Sequence, residues 1–142
     1  MTCGHNPTFD PASIRVLIAD DDPRVRQALR ALIESADGAV VVGEASSQDE
    51  VLRCDQALDP GVIVLDLILS GRDDHLELLR RLGKQGRSVV AISVRGGLRR
   101  AALDAGACAF VEMGATPDVV LQALQEAACE QRRIRGHRPI DA

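Results

Sequence analysis

Residues 16–23 have the sequence VLIADDDP, and residues 62–66 have the sequence VIVLD. In both, an apolar run stops at an aspartate, which is typical of a buried parallel strand with an acid at its carboxyl end. Ligands of open α/β sheets bind beyond the carboxyl ends of the strands. These two stretches therefore predict the architecture of the chain and the edge of the sheet where its chemistry takes place.

The acids that end the two runs point to a divalent cation. Side by side, the two strands would gather Asp20, Asp21 and Asp66 in one crevice, and crowded carboxylates repel one another unless protons or a cation accompany them. Mg²⁺ prefers oxygen ligands of this kind. Two simpler explanations stay open. The acids from Asp20 to Asp22 could be only a helix start that favours the helix dipole, and Asp66 could be an ordinary strand-end residue.

The composition indicates one domain with an aliphatic core. The chain has 142 residues, of which 46% are hydrophobic, and its only aromatic residues are Phe9 and Phe110. This length favours a single domain, whose core must consist of Val, Leu, Ile and Ala. The net charge of −4 argues against a domain that binds nucleic acid through its overall electrostatics.

The cysteines and the amino-terminal segment favour a cytoplasmic protein. Cys3, Cys54, Cys108 and Cys129 form no CxxC pair, so we expect them to be reduced, as is usual in a cytosol. The start of the chain lacks the basic and apolar regions of a signal peptide. No apolar run approaches the roughly 20 residues that span a bilayer, so we expect no membrane contact.

Strand and helix signals alternate five times along the chain. This alternation predicts a parallel sheet with helices on both faces. The predicted strands cover residues 14–19, 40–42, 62–66, 89–93 and 108–111. The last predicted helix begins at Thr116 and Pro117, and its expected inner side consists of Val119, Val120, Leu121, Leu124 and Ala128.

The two ends of the chain are expected to lie outside the folded part. Residues 1–13 are polar and contain two prolines, which indicates a disordered lead. Residues 131–142 are Arg-rich and aperiodic, which predicts a flexible tail, either a frayed helix end or the remnant of a linker. The predicted domain therefore covers residues 14–130.

The stretches VLIADDDP (16–23), VIVLD (62–66), VVAIS (89–93) and AGACAFV (105–111) together resemble the receiver domain of two-component response regulators. The first and last are most similar to the NarL/LuxR-like subfamily, whose receivers precede a helix-turn-helix DNA-binding domain. The resemblance implies a flavodoxin-like (CheY-like), doubly wound sheet of five parallel strands in the order 2-1-3-4-5, with five helices.

The resemblance assigns a role to each residue that matches the family's motifs. Asp66 would be the phospho-acceptor, Ser93 the switch hydroxyl, and Phe110 the aromatic residue that moves with it. Phe110 also suits an ordinary core position. The resemblance further implies a Mg²⁺ site, whose ligands would be Asp20, Asp21, Asp66 and the backbone carbonyl of Ile68.

The chain departs from the family at the end of the fifth strand, where the family has a Lys that contacts the phosphoryl group. Met113 occupies this position, and Gly114 replaces the Pro that usually follows. A methionine side chain is apolar and cannot pair with an anion. Arg95 or Arg99 could supply the missing charge, although solvated arginines are the simpler interpretation.

Three functions are compatible with these residues. The first is a receiver that takes a phosphoryl group on Asp66 from a histidine kinase, with Mg²⁺, and switches a protein-interaction surface. The second is a degenerate receiver, an interaction or dimerisation module that works without phosphate, as Met113 suggests. The third is a phosphohydrolase of the haloacid dehalogenase type, because Asp20 and Asp22 lie two residues apart after a strand, but Arg24 departs from that pattern. We therefore expect a receiver and not an enzyme.

The resemblance also sets the expected partners. They are a sensor histidine kinase and a second copy of the chain in a homodimer. DNA would be contacted only through an output domain that this chain does not contain. The chain would then be either a receiver that stands alone or the amino-terminal part of a transcription factor.

Overall fold

Five buried runs form the strands of one parallel sheet in the computed structural model, which describes residues 13–71 and 74–136. The strands are β1 (Ile14–Ala19), β2 (Ala39–Ala45), β3 (Val62–Asp66), β4 (Ser88–Ser93) and β5 (Ala109–Glu112). Their spatial order is β2-β1-β3-β4-β5, and all neighbouring pairs are parallel. The predicted flavodoxin-like fold is confirmed. The predicted disordered lead falls almost wholly in residues 1–12, outside the described residues.

Helices follow the strands in strict alternation. They are α1 (Pro23–Glu34), α2 (Gln48–Leu58), α3 (His75–Lys84), α4 (Arg99–Asp104) and α5 (Pro117–Gly136), with a 3₁₀ turn at Gly96–Leu98 before α4. The side chains of Asp22, Ser47 and Asp74 accept hydrogen bonds from the first N–H groups of α1, α2 and α3. These N–H groups have no partner within their helix, so the caps stabilise the helix starts at the carboxyl edge of the sheet.

The alternation of side chains along each strand divides the core into two layers. Leu17 and Leu65 belong to the layer that contains the buried residues of α2, α3 and α4. Ile18 and Val64, their immediate neighbours in sequence, belong to the layer that packs against α1 and α5. All four are at most 1% exposed. Because both faces of the sheet are covered, the middle positions of the central strands are apolar on both faces, which explains the continuous hydrophobic runs of the sequence.

The bounds of three strands differ from the prediction. β4 begins one residue earlier, at Ser88. β2 begins at Ala39 and does not end at Val42 but continues to Ala45. Its register with β1 shifts, so that Val16 pairs with Val41 whereas Leu17 pairs with Gly43. This irregularity lets the strand pass the glycine and keep its pairing with β1. β5 begins and ends one residue later than predicted.

The prediction that a flexible tail begins at residue 131 is wrong for residues 131–136, because α5 continues to Gly136. Gln131 is only 1% exposed, and its Nε2 donates hydrogen bonds to the Gly86 carbonyl at 2.9 Å and to Ser88 Oγ at 3.1 Å. A Cβ atom at Gly61 would lie 2.8 Å from Gln131 Cγ, so the glycine makes room for this contact. Residues 137–142 lie outside the described part of the chain.

The inner side of α5 also differs in part from the prediction. Its buried residues are Ala123, Leu124, Ala127 and Gln131, whereas Val119 is 47% exposed. The run from Val119 to Leu121 is apolar at three successive positions, and only part of such a run can face the sheet at 3.6 residues per turn. In the structure, α5 is rotated about its axis so that its small alanines are buried against β4 and β5.

We predict that Gln131→Ala lowers the free energy of unfolding by about 1–3 kcal/mol, because the buried acceptors at Gly86 and Ser88 lose their donor. Urea unfolding of the full chain measures this difference. The matched control is Gln125→Ala, an exposed glutamine on the same helix, which should change the free energy by less than about 0.5 kcal/mol. Equal effects of the two substitutions would contradict the anchoring role of Gln131.

Candidate functional site

The carboxyl ends of β1, β3 and β4 bring three polar side chains together. Ala19 pairs with Leu65 across β1 and β3, so Asp20 and Asp66 occupy the next positions on neighbouring strands. Asp66 in turn pairs with Ile92 on β4, directly before Ser93. Neighbouring strands lie about 4.8 Å apart. The exposed fractions are 3% for Asp20, 8% for Asp66 and 0% for Ser93, so the three residues form a buried polar cluster at one edge.

Asp20 holds one carboxylate oxygen in a hydrogen bond and leaves the other without a partner. Its Oδ1 accepts from the Asp22 N–H at 2.8 Å. Within residues 13–71 and 74–136, its Oδ2 is the buried side-chain oxygen or nitrogen that has no hydrogen-bond partner. An unpartnered buried oxygen is costly unless a proton or a cation occupies its free side. This oxygen therefore fits a metal ligand.

The electrostatics of Asp66 are those of a buried acid beside other acids. The pKa of its carboxyl is raised to about 6: burial is the main cause and the charges of Asp20 and Asp21 contribute, whereas the hydrogen bond from the Ile68 N–H opposes the shift. That hydrogen bond joins the Ile68 nitrogen to Asp66 Oδ1 at 3.1 Å. Burial likewise raises the pKa of Asp20, against the bond from the Asp22 N–H. Both carboxyls therefore favour a proton or a bound cation.

The structure brings the four predicted metal ligands to one edge without closing them into a cage. Within the part of the chain that the structure describes, no group of three or more His, Cys, Asp and Glu side chains is arranged to hold a metal ion. Asp20 and Asp66 point inward, whereas Asp21 is exposed at the rim. Ile68 lies in the turn after β3 and is 47% exposed. The donor set suits a hard cation, because the unpartnered oxygen of Asp20 lies beside the acid of β3.

Ser93 belongs to this cluster, whereas Phe110 lies in the core on one face of the sheet. Ser93 Oγ accepts a hydrogen bond from the Arg95 N–H at 3.0 Å. Phe110 is 5% exposed and packs in the layer of α2, α3 and α4. The guanidinium carbon of Arg99 lies 5.2 Å from the centre of its ring, which is within the range of a cation–π contact. Phe110 thus fills the core position that the sequence also allowed.

Met113 brings no charge to the site. It packs against the core layer of α1 and α5, and its backbone N–H donates to the Ser93 carbonyl at 2.8 Å. Of the two arginines suggested as substitutes for the family's Lys, Arg99 lies against Phe110. Arg95 contacts Ser93 through its backbone. The residue that follows β5 is therefore apolar and brings no charge to the site.

Two basic residues near the acids escaped the sequence analysis. Arg26 on α1 donates from Nη1 to the Asp20 carbonyl at 2.7 Å and from Nε to Glu44 Oε1 at 2.9 Å, so it holds the loop after β1 against β2. His75, the first residue of α3, lies close enough for its charge to lower the pKa of Asp66. Because His75 begins the helix that follows the third strand, the sequence could have indicated that it lies near the acids. The contact of Arg26 could not be predicted in this way, because it depends on how α1 packs against the sheet.

The comparison with known families identifies the family to which this fold belongs. The response regulator receiver domain matches residues 16–125 of this chain. The chain belongs to the response regulator receiver family. This receiver is 34% identical to the transcriptional activator protein ExaE of Pseudomonas putida over 129 residues, which cover 89% of the chain and 58% of ExaE. It is 35% identical to the nitrate/nitrite response regulator protein NarL of Escherichia coli K12 over 122 residues, which cover 84% of the chain and 56% of NarL. The receiver thus spans somewhat more than half the length of these curated relatives.

Solved structures of other receivers have the same fold. A LuxR-family response regulator from Aurantimonas has a TM-score of 0.75 and 27% identity, with 82% of this chain and 86% of that chain covered. The receiver domain of NarL from Mycobacterium tuberculosis has a TM-score of 0.75 and 25% identity, with 84% and 98% covered. No helix among the described residues of this receiver is long and apolar enough to cross a membrane.

Membership of this family confirms the prediction of a signalling domain that is not an enzyme in the main sense. The haloacid dehalogenase alternative has no support from the geometry either. Asp22, which would be its second catalytic acid, caps α1 and accepts from the Arg24 N–H at 2.9 Å. It also lies 3.2 Å from the Arg24 guanidinium. Both interactions lower the pKa of Asp22, so it is held as a charged cap and not as a general acid.

We predict that Asp66→Asn stabilises the metal-free receiver above about pH 6. The pKa of Asp66 is about 6 when the chain is folded and ordinary when it is unfolded, so the folded state binds more protons between these values and loses stability as the pH rises. Asparagine cannot ionise and avoids this cost. The gain in the free energy of unfolding should be about 2 kcal/mol at about pH 7.5 and should disappear towards about pH 4.

Urea unfolding in the presence of EDTA at both pH values measures this dependence. The control is Asp104→Asn, which neutralises an exposed aspartate at the end of α4 and should not produce the same pH-dependent gain. A gain for Asp66→Asn that is independent of pH would contradict the electrostatic explanation.

Proposed function

We propose that this receiver accepts a phosphoryl group on Asp66 from the phosphohistidine of a sensor histidine kinase. One observation carries the proposal: Asp66 is buried at the end of β3 beside Asp20, whose Oδ2 has no hydrogen-bond partner among the described residues. A receiver needs a carboxylate nucleophile next to a place for positive charge. Family membership supports the same assignment.

The geometry suits attack by one oxygen of Asp66. The Ile68 N–H holds Oδ1, so Oδ2 is the oxygen that attacks phosphorus. A bond forms between this oxygen and phosphorus while the bond from phosphorus to the histidine nitrogen of the kinase breaks. Asp20, Asp21, Asp66 and the Ile68 carbonyl would hold Mg²⁺, which supplies the positive charge that neutralises the phosphoryl oxygens.

Ser93 and Phe110 would convert the phosphorylation into a change of surface. Ser93 Oγ accepts a bond from Arg95, so its own proton can be donated to a phosphoryl oxygen. A new bond there would pull on the loop between β4 and α4. Phe110 lies under Arg99 in the neighbouring layer, so movement of that loop changes the packing of its ring.

The wider setting follows from the relatives. ExaE and NarL are named a transcriptional activator and a nitrate/nitrite response regulator, and this receiver covers somewhat more than half of each. We infer that it acts in the cytoplasm in two-component signal transduction, that it can form a homodimer, and that any contact with DNA is made through an output domain.

One observation favours a second function. Met113 is apolar and packs against the layer of α1 and α5, at the position where the family has the Lys that contacts the phosphoryl group. A receiver without this cation could serve as an interaction or dimerisation module that does not depend on phosphate. The two functions differ in whether Asp66 becomes phosphorylated.

We predict that acetyl phosphate labels Asp66 only when Mg²⁺ is present, because the buried carboxylates need a cation before a phosphoryl group can enter. Intact-mass spectrometry should show the added phosphoryl group in the wild type and in the control Asp104→Asn. It should be absent in Asp66→Asn and strongly reduced in Asp20→Asn. Absence of label in the wild type, under conditions that label another receiver, would favour the phosphate-independent module.

We further predict that Met113→Lys increases the initial rate of labelling about tenfold or more, since a charge-assisted hydrogen bond to the phosphoryl group contributes about 1.5–3 kcal/mol. Met113→Leu is the control because it keeps the apolar packing without adding charge. Initial rates of labelling by acetyl phosphate at limiting Mg²⁺ measure the effect. If both variants behave like the wild type, position 113 does not contact the phosphoryl group in this receiver.

A further inference from the structure

The amino-terminal edge of the sheet carries a basic recess opposite the acidic site. This amino-edge recess has a volume of about 430 Å³ and is lined by Arg15 of β1, Gly61 before β3, and Arg132 and Arg135 of α5. Among the described residues that line it, none is acidic. Three arginines therefore line one cavity in a chain whose net charge is −4.

The end of α5 is built to place its arginines there. Gln131 is buried and bonded to Gly86 and Ser88, so the last turn of the helix is fixed against the sheet. Gln131 Oε1 also accepts a hydrogen bond from Arg135 Nε at 2.5 Å. This arginine is thus oriented by a neutral acceptor, which leaves its charge available to a ligand.

The other two arginines are also oriented without full compensation of their charge. Arg15 donates from Nε to the Leu58 carbonyl at 3.2 Å, and this acceptor is neutral. Within residues 13–71 and 74–136, Arg132 forms no ion pair. Its guanidinium Nη2 would lie 3.5 Å from a Cβ atom at Gly38, so it is directed toward the loop before β2.

Asp59 compensates only part of this charge. It lies 3.8 Å from Arg135 but 2.6 Å from Arg87, and its side chain is 68% exposed. The hydrogen bond from Arg87 is the main cause that lowers the pKa of Asp59, and the charges of Arg135 and Arg15 add to it. Asp59 is therefore shared among Arg87, Arg135 and Arg15. The amino-edge recess keeps a positive charge.

We propose that the amino-edge recess binds the phosphate groups of a small phosphorylated ligand. Guanidinium groups match phosphate oxygens with paired hydrogen bonds. The recess lies within the range of about 300–1,000 Å³ that is usual for small-molecule sites, so it can hold more than a single oxyanion. This site is separate from Asp66 and does not depend on phosphorylation.

Pyrophosphate is the probe. Isothermal titration of the full chain in EDTA at low ionic strength should show saturable binding, and the amide signals of Gly61 and Gly136 should shift during an NMR titration. Arg132→Gln should weaken binding about tenfold or more, since one charge-assisted hydrogen bond is lost. The matched control is Arg133→Gln, which removes the same charge from a residue that pairs with Glu130 at 2.6 Å outside the recess. This control and Asp66→Asn should bind like the wild type.

Four outcomes would overturn the proposal. The first is the absence of saturable binding. The second is equal weakening in the two arginine variants, because the attraction would then be diffuse. The third is a gain of about tenfold in affinity on replacing Asp10 or Asp141 by Asn, since a carboxylate of the chain itself would then occupy the recess. The fourth is tighter binding of a short DNA duplex than of pyrophosphate at the same salt, with the same loss in Arg132→Gln.

Discussion

The burial of two carboxylates side by side is the constraint on which the rest of this structure depends. Asp20 and Asp66 are 3% and 8% exposed, and each comes directly after a run of four buried apolar residues. Two buried charges so close together raise the free energy of the folded chain unless a proton or cation compensates them. This edge of the sheet therefore carries an unfavourable electrostatic energy in the absence of a cation. In the proposed function, Mg²⁺ and the phosphoryl chemistry compensate for it.

Several local interactions hold the acids in place against this repulsion. The parallel register of β1 and β3 sets their separation. The N–H groups of Asp22 and Ile68 bond one oxygen of each acid. Arg26 fixes the loop after β1 through its carbonyl. The two N–H groups use only Oδ1 of each acid, and Asp20 Oδ2 has no hydrogen-bond partner among the described residues, so the site can still take a ligand.

The two edges of the sheet differ in charge. Carboxylates gather where the strands end, whereas Arg15, Arg132 and Arg135 gather where the strands begin. The buried side chain of Gln131 connects this basic edge to the core. Positive charges also occur at the acidic edge, where Arg26 bonds the Asp20 carbonyl and the charge of His75 lowers the pKa of Asp66. Met113 adds no charge there, and Arg99 lies against the ring of Phe110.

The sequence pattern by itself determined the alternation of strands and helices and the position of the acids, whereas the order of the strands in the sheet came from the resemblance to receiver domains. Continuous apolar runs that end on Asp20 and Asp66 indicate covered parallel strands with acids at their carboxyl ends, so the local pattern was sufficient for these features. Only the tertiary structure decided the roles of Arg26, His75 and Gln131, the inner phase of α5, and the inward ring of Phe110. These features depend on which side chains meet across elements far apart in the chain. The local sequence around a polar residue does not indicate whether that residue gains a buried partner.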